Sequence, residues 1–160
     1  MKKLVLSFVV LATAALAAGV VQKAERHVAQ DDLKWTQPFG PQGPLFGFVV
    51  GAMGEKKPAS FFAKFPAGAD SGWHMHDEDY EAIVVKGTFA EQQQGEAAET
   101  LLPTGSYFSQ VAKKTHRNGC SKDGECMVYV HFDKGASSHG MTPDGKPLPP
   151  PPAPAAAPAK

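Results

Sequence analysis

Between residues 45 and 132 the chain carries five short runs of β-branched and aromatic residues, and nowhere a sustained helical period. The runs are 45–50 (LFGFVV), 60–65 (SFFAKF), 82–86 (AIVVK), 107–111 (YFSQV) and 127–132 (MVYVHF), and clusters of Gly, Pro and Asp separate them. Beyond the first twenty or so residues, no stretch long enough for a helix keeps apolar residues at 3.6-residue spacing. The best polar candidate, Glu91 to Glu99, is broken by Gly95 and has no apolar face. An all-β antiparallel barrel or sandwich is therefore expected.

Both ends read differently from this middle. Met1-Lys2-Lys3 followed by the apolar run Leu4 to Leu16, with Ala15-Leu16-Ala17 at its end, has the form of a secretory signal peptide over residues 1–17. The opposite end, 142–160 (TPDGKPLPPPPAPAAAPAK), is so rich in proline that neither helix nor central strand can persist, and a solvated polyproline-like tail is expected. That leaves one folded domain over about 31–140. The whole chain has 16 basic and 16 acidic residues, so it generates no net field to attract polyanions, and nucleic-acid binding is excluded as a class. Loss of Lys2 and Lys3 with the signal peptide leaves a slightly acidic, periplasmic or secreted protein with no stable membrane span.

The chemistry concentrates in two places. His74-Met75-His76 sets two imidazoles two residues apart, on one face of an extended strand. A third, His116, follows about forty residues on. Neutral imidazoles suit Fe, Mn, Zn, Cu or Ni, so residue type alone points to one divalent ion without choosing it.

The surroundings of these histidines resemble the cupin superfamily. Its first motif, G-x5-H-x-H-x(3,4)-E-x6-G, is matched by Gly68, His74, His76, Glu81 and Gly87; its second, G-x5-P-x-G-x2-H-x3-N, by Gly105 and His116. The string WHMHDEDYEAIVVKGTF is particularly similar to small cupins without an assigned reaction. The resemblance implies a jelly-roll barrel holding a metal through His74, His76, His116 and Glu81. It also implies a small-molecule ligand or substrate, and homodimers occur among such proteins. Two departures stand out. In the second motif Val111, Lys113 and Cys120 occupy the Pro, Gly and Asn positions, with Asn118 two residues early. In the first, only five residues separate Glu81 from Gly87, so counting back from Gly87 places Tyr80 at the glutamate position. Because 82–85 is apolar on both faces, strand parity leaves Glu81 and Tyr80 both open as the inward residue. Tyr80 and Asp79 are candidate acid–base groups.

Cys120 and Cys126 bracket an Asp123-Gly124 turn, and in an exported protein they are expected to form a disulfide bracing the strand of His116. His131 shares a strand face with Tyr129 and is a candidate for the barrel interior; Phe61, Phe62 and Phe65 are the expected core or pocket wall. Nothing supports a serine or cysteine hydrolase, since Gly105-Ser106 lacks the flanking pattern of a nucleophile elbow. Two functions follow: a metal-dependent enzyme of oxygenase (dioxygenase) type acting on a small organic molecule, or a non-catalytic ligand-binding or sensing module.

Overall fold

The computed structural model describes residues 25–40 and 43–149. The expected signal peptide lies outside the described residues, as does 150–160 of the expected tail. Among the described residues no helix is long and apolar enough to cross a membrane.

The chain forms two antiparallel sheets facing each other in a jelly roll. One has six strands, in the order β1 (Trp35–Thr36), β2 (Leu45–Val50), β3 (Ala59–Phe65), β10 (Cys126–Phe132), β5 (Tyr80–Lys86) and β8 (Tyr107–Gln110). The other has five: β11 (His139–Gly140), β4 (His74–Met75), β9 (His116–Cys120), β6 (Thr88–Gln93) and β7 (Thr100–Pro103). All five expected runs are strands within two residues of their expected bounds. The expected all-β antiparallel architecture is thus confirmed.

Alternation explains the core. Along β10, Cys126, Val128, Val130 and Phe132 are buried, and along β5 so are Tyr80, Ala82 and Val84. On the five-stranded side Phe89 is buried and stacks on Phe108, with ring centroids 5.1 Å apart. Each fully buried large side chain contributes about 1.5–3 kcal/mol, so these inward rows supply most of what holds the sheets together. Of the three expected core phenylalanines, Phe61 and Phe65 are buried, but Phe62 lies on the outer face against Tyr129, 5.3 Å between centroids. Its neighbours Phe61 and Ala63 take the inward positions, and period two sends Phe62 out.

Strand β6 was not expected, because Glu91, Gln92 and Gln93 have low strand propensity. Pairing on both sides, with β9 and with β7, overrides that preference. The inward parity of Phe89 carries Glu91 and Gln93 to the same face. There Gln110 of β8 donates to Glu91 (2.5 Å) and accepts from Gln93 (2.6 Å), so three polar side chains join β6 of one sheet to the edge strand β8 of the other.

The disulfide Cys120–Cys126 is formed, with Cα atoms 5.6 Å apart, and ties β9 to β10. At the other end one boundary needs correction. The chain from Thr142 is not wholly a solvated extension: Thr142 and Lys146 close a turn, and the Leu148 N–H donates to the Gly140 carbonyl (2.8 Å). The sequence PDG is itself a turn former, and here it folds 142–148 back on β11.

Candidate metal centre

His74 and His116 are directly paired across β4 and β9, and His76 follows just beyond the end of β4. Two strands of one sheet therefore bring all three expected imidazoles together. The nitrogens able to bind an ion lie within 4.8 Å of one another.

Each ring is oriented by its own backbone contact. The Nδ1–H of His74 donates to the Gly72 carbonyl (2.9 Å), that of His116 to the Lys114 carbonyl (3.0 Å), and that of His76 to the Ser137 carbonyl. Since a carbonyl only accepts, the proton sits on Nδ1 in each ring and the Nε2 lone pair is left free. In His116 that Nε2 atom is buried without any hydrogen-bond partner. An orphaned buried acceptor costs about 1–3 kcal/mol.

Protonation does not relieve it. Burial, then the neighbouring His74, pushes His76 down to about 3, and the same two causes push His116 down to about 4. His74 is also lowered, chiefly by burial. Three neutral imidazoles with free, convergent lone pairs are the donor set that a borderline divalent ion takes. The residues present fit a metal ion, and the three carbonyl contacts are the outer support such a site needs.

The fourth position differs from expectation. Glu81 is exposed on the outer face of β5, opposite Ser109 and His131, so it does not join the cluster. Tyr80 is the inward residue, buried against His76 and Phe132 with ring centroids 5.0 Å from each. The pairing of β5 with β10 sets this parity, which the sequence left open. Burial, reinforced by Glu91, raises the Tyr80 hydroxyl above its usual range, so at neutral pH it is a phenol. Asn118, two residues after His116 on the same face, lies beside that hydroxyl and partly offsets the effect.

The other candidates lie outside the cluster. Asp79 is exposed and accepts from the Ala112 N–H at 2.6 Å, so its carboxylate holds a loop. His131 points outward, with Nδ1 on the Ser60 hydroxyl (2.8 Å) and Nε2 on Asp133 (3.0 Å). Lys113, at the position where the family motif has Gly, adopts φ 60°, the left-handed conformation a glycine would take, and its N–H donates to the His76 carbonyl (2.8 Å). The backbone requirement of the motif persists although the residue does not.

A cavity of about 70 Å³ opens beside His74 and His76 and runs between the sheets, walled mainly by phenylalanines with Tyr80, Asn118, Ser137 and Ser138 as polar points. Glu91 stands across the β6–β9 pair from Asn118, and burial raises its carboxyl above the usual range. The sequence reading missed Glu91 and Gln93 because their stretch carries no strand signal, and Gln110 because nothing in its expected strand marks it as a partner of β6. Asn118 was legible, since His116-x-Asn118 shares strand parity; no signal marks the Ser137 carbonyl.

Among solved structures the chain is similar to an RmlC-like cupin from Ralstonia eutropha, at 14% identity and TM-score 0.61, covering 79% of this chain and 78% of that one. It is similar to the polyketide cyclase RemF from Streptomyces resistomycificus at 13% identity and TM-score 0.59, covering 69% and 82%. A further RmlC-like cupin, from Shewanella frigidimarina, matches at 18% identity and TM-score 0.56, covering 72% and 95%. At these identities the likeness establishes the fold. No curated protein matches the chain. The profile of one sequence family covers residues 26–138, more than half of the chain, and with the jelly roll and its histidine cluster this makes the protein a cupin-fold member of the family described as a domain of unknown function, DUF4437.

Proposed function

We propose that this protein is an exported, metal-dependent enzyme of oxygenase type that acts on a small organic molecule at the His74–His76–His116 centre. The observation that carries the metal reading is the buried, unpartnered Nε2 of His116, facing two imidazoles whose own protons are committed to backbone carbonyls. A divalent ion held there would supply Lewis acidity and exchangeable coordination positions. The chain's own part is to keep three donors neutral, exclude water with the phenylalanine walls, and present the Tyr80 hydroxyl as a hydrogen-bond donor. Tyr80 and Asn118, with Ser137 and Ser138, are the polar groups placed to orient a bound molecule.

Export is supported by the Cys120–Cys126 disulfide, which persists in oxidising compartments, together with the basic-then-apolar first residues. A second reading, ligand binding without chemistry, is favoured by one observation: among the described residues no carboxylate lines the cavity to act as a base.

Elemental analysis of the purified protein tests the centre. One equivalent of metal, lost in His116→Ala, is expected; full retention in that variant refutes the ligand set. Iron, copper or manganese with oxygen consumption supports the enzyme, whereas metal with no turnover of any offered phenol or diketone supports the binding module.

A further inference from the structure

The cavity beside the histidines is closed to charge. Of the described residues lining it none is Lys, Arg, Asp or Glu, and its walls are formed by the rings of Phe46, Phe61, Phe89 and Phe132 with Val128 and Val130 on β10; the inward Glu91 stands behind Asn118, its carboxylate held by donation from Gln93 and Gln110. An ionised group entering this space without a partner would meet a large desolvation penalty. A counter-charge would come only from a divalent ion held at the imidazole end. There the residue that could have neutralised a dication, Glu81, faces solvent, and the ring of Tyr80 stands in its place.

Two consequences follow for a ligand. A dication held by three neutral donors in an apolar cavity keeps its full charge, so the ligand's head must bring the anion. The rest of the ligand must be uncharged, and its size is bounded. The space, about 70 Å³, is roughly half of the 150 Å³ apolar cavity known to hold a benzene ring, and well under the 300 Å³ of ordinary drug-sized pockets.

We infer that the site takes a small oxyanion, a carboxylate, enolate or similar oxygen chelator, joined to a short uncharged aliphatic chain of a few carbons. This rests on the metal reading above and adds the substrate class. The oxygen end lies at His74 and His76, with the Tyr80 hydroxyl and Asn118 amide able to donate to a second oxygen. The chain lies along Val130 and the phenylalanine walls. A second charge at the far end is rejected because none of the described residues lining the cavity is Lys or Arg.

The test uses the full mature chain loaded with Co²⁺ and a series of hydroxamates, read by calorimetric titration and by the visible cobalt bands rather than by turnover. Acetohydroxamate should bind and perturb the bands, and butyrohydroxamate should bind about tenfold more tightly. Benzohydroxamate, octanohydroxamate and the charged succinic monohydroxamate should each bind at least tenfold more weakly than the butyryl compound. Val130→Ala, which widens the cavity by two methyl groups, should move the preference toward benzohydroxamate; circular dichroism and cobalt stoichiometry report whether the variant is folded and loaded. Equal affinity across the series, or preference for the succinyl compound, overturns the substrate class while leaving the metal centre intact. Failure to take up cobalt overturns the metal reading instead.

Discussion

Without metal, the three-histidine cluster should make the protein acid-sensitive well above the range where carboxylates titrate. In the unfolded chain each histidine takes up a proton as pH falls through about 6.5. In the folded protein His76 resists until about 3 and His116 until about 4, because burial and the neighbouring His74 oppose the charge. Folded values below unfolded ones mean that this stability is fully present above about pH 6.5 and is lost as pH falls toward the folded values. The linkage slope is about 1.4 kcal/mol per pH unit for each such group. From pH 7 to pH 5 each of the two histidines therefore removes about 2 kcal/mol, or about 4 kcal/mol together, out of the 5–15 kcal/mol typical of a domain. Urea unfolding of chelator-treated protein at pH 7, 6 and 5, followed by tryptophan fluorescence, measures the loss directly. His116→Gln removes one titration and should reduce the pH dependence by about 2 kcal/mol over this range, leaving that of His76 and His74. A midpoint that stays constant between pH 7 and 5 would falsify the claim that these rings are held neutral by burial.

Other expectations follow from single residues. Lys113 sits at φ 60°, which costs a side-chain-bearing residue about 1–2 kcal/mol, part of it offset by glycine's greater freedom when unfolded; Lys113→Gly should raise the melting temperature by a few degrees, and a lower one would show that the lysine side chain contributes more than the strain costs. Glu81→Gln should leave metal stoichiometry and affinity unchanged, since the carboxylate is on the outer face; a tenfold loss by competition with a chelating dye would return Glu81 to the site. Replacing both Cys120 and Cys126 by Ala opens a loop whose ends are 6 residues apart and should cost about 2 kcal/mol in urea; an unchanged midpoint would mean that the bridge adds nothing to the pairing of β9 and β10.

The parts of the fold legible in sequence are those in which one local signal decides. Phe61, Val84, Val128 and Phe132 lie in β-branched and aromatic runs with period two, and those runs are strands. The three histidines were legible because two motifs fix their spacing independently. Strand β6 was not, since nothing local makes Glu91-Gln92-Gln93 extended; the chain becomes a strand there only because β7 and β9 offer partners on both sides. The motif glycine lost at position 113 shows the converse case, where the backbone conformation survives a change of residue type.

The pair Tyr80 and Glu81 shows how much function can turn on one step of register. Both are adjacent to the same turn, and both lead into a strand that is apolar on either face, so composition cannot choose between them. The choice is made at a distance, by β10: Val128 and Val130 must be buried, they pair with Val84 and Ala82, and parity then turns Tyr80 inward and Glu81 out. Had Glu81 faced in, the centre would hold three neutral donors and a carboxylate, and a bound dication would be half neutralised by the protein itself. With Tyr80 inward, none of the described residues lining the cavity of phenyl rings is a carboxylate, and Glu91 stands behind Asn118. The same parity that packs the core therefore assigns the missing charge to whatever molecule enters.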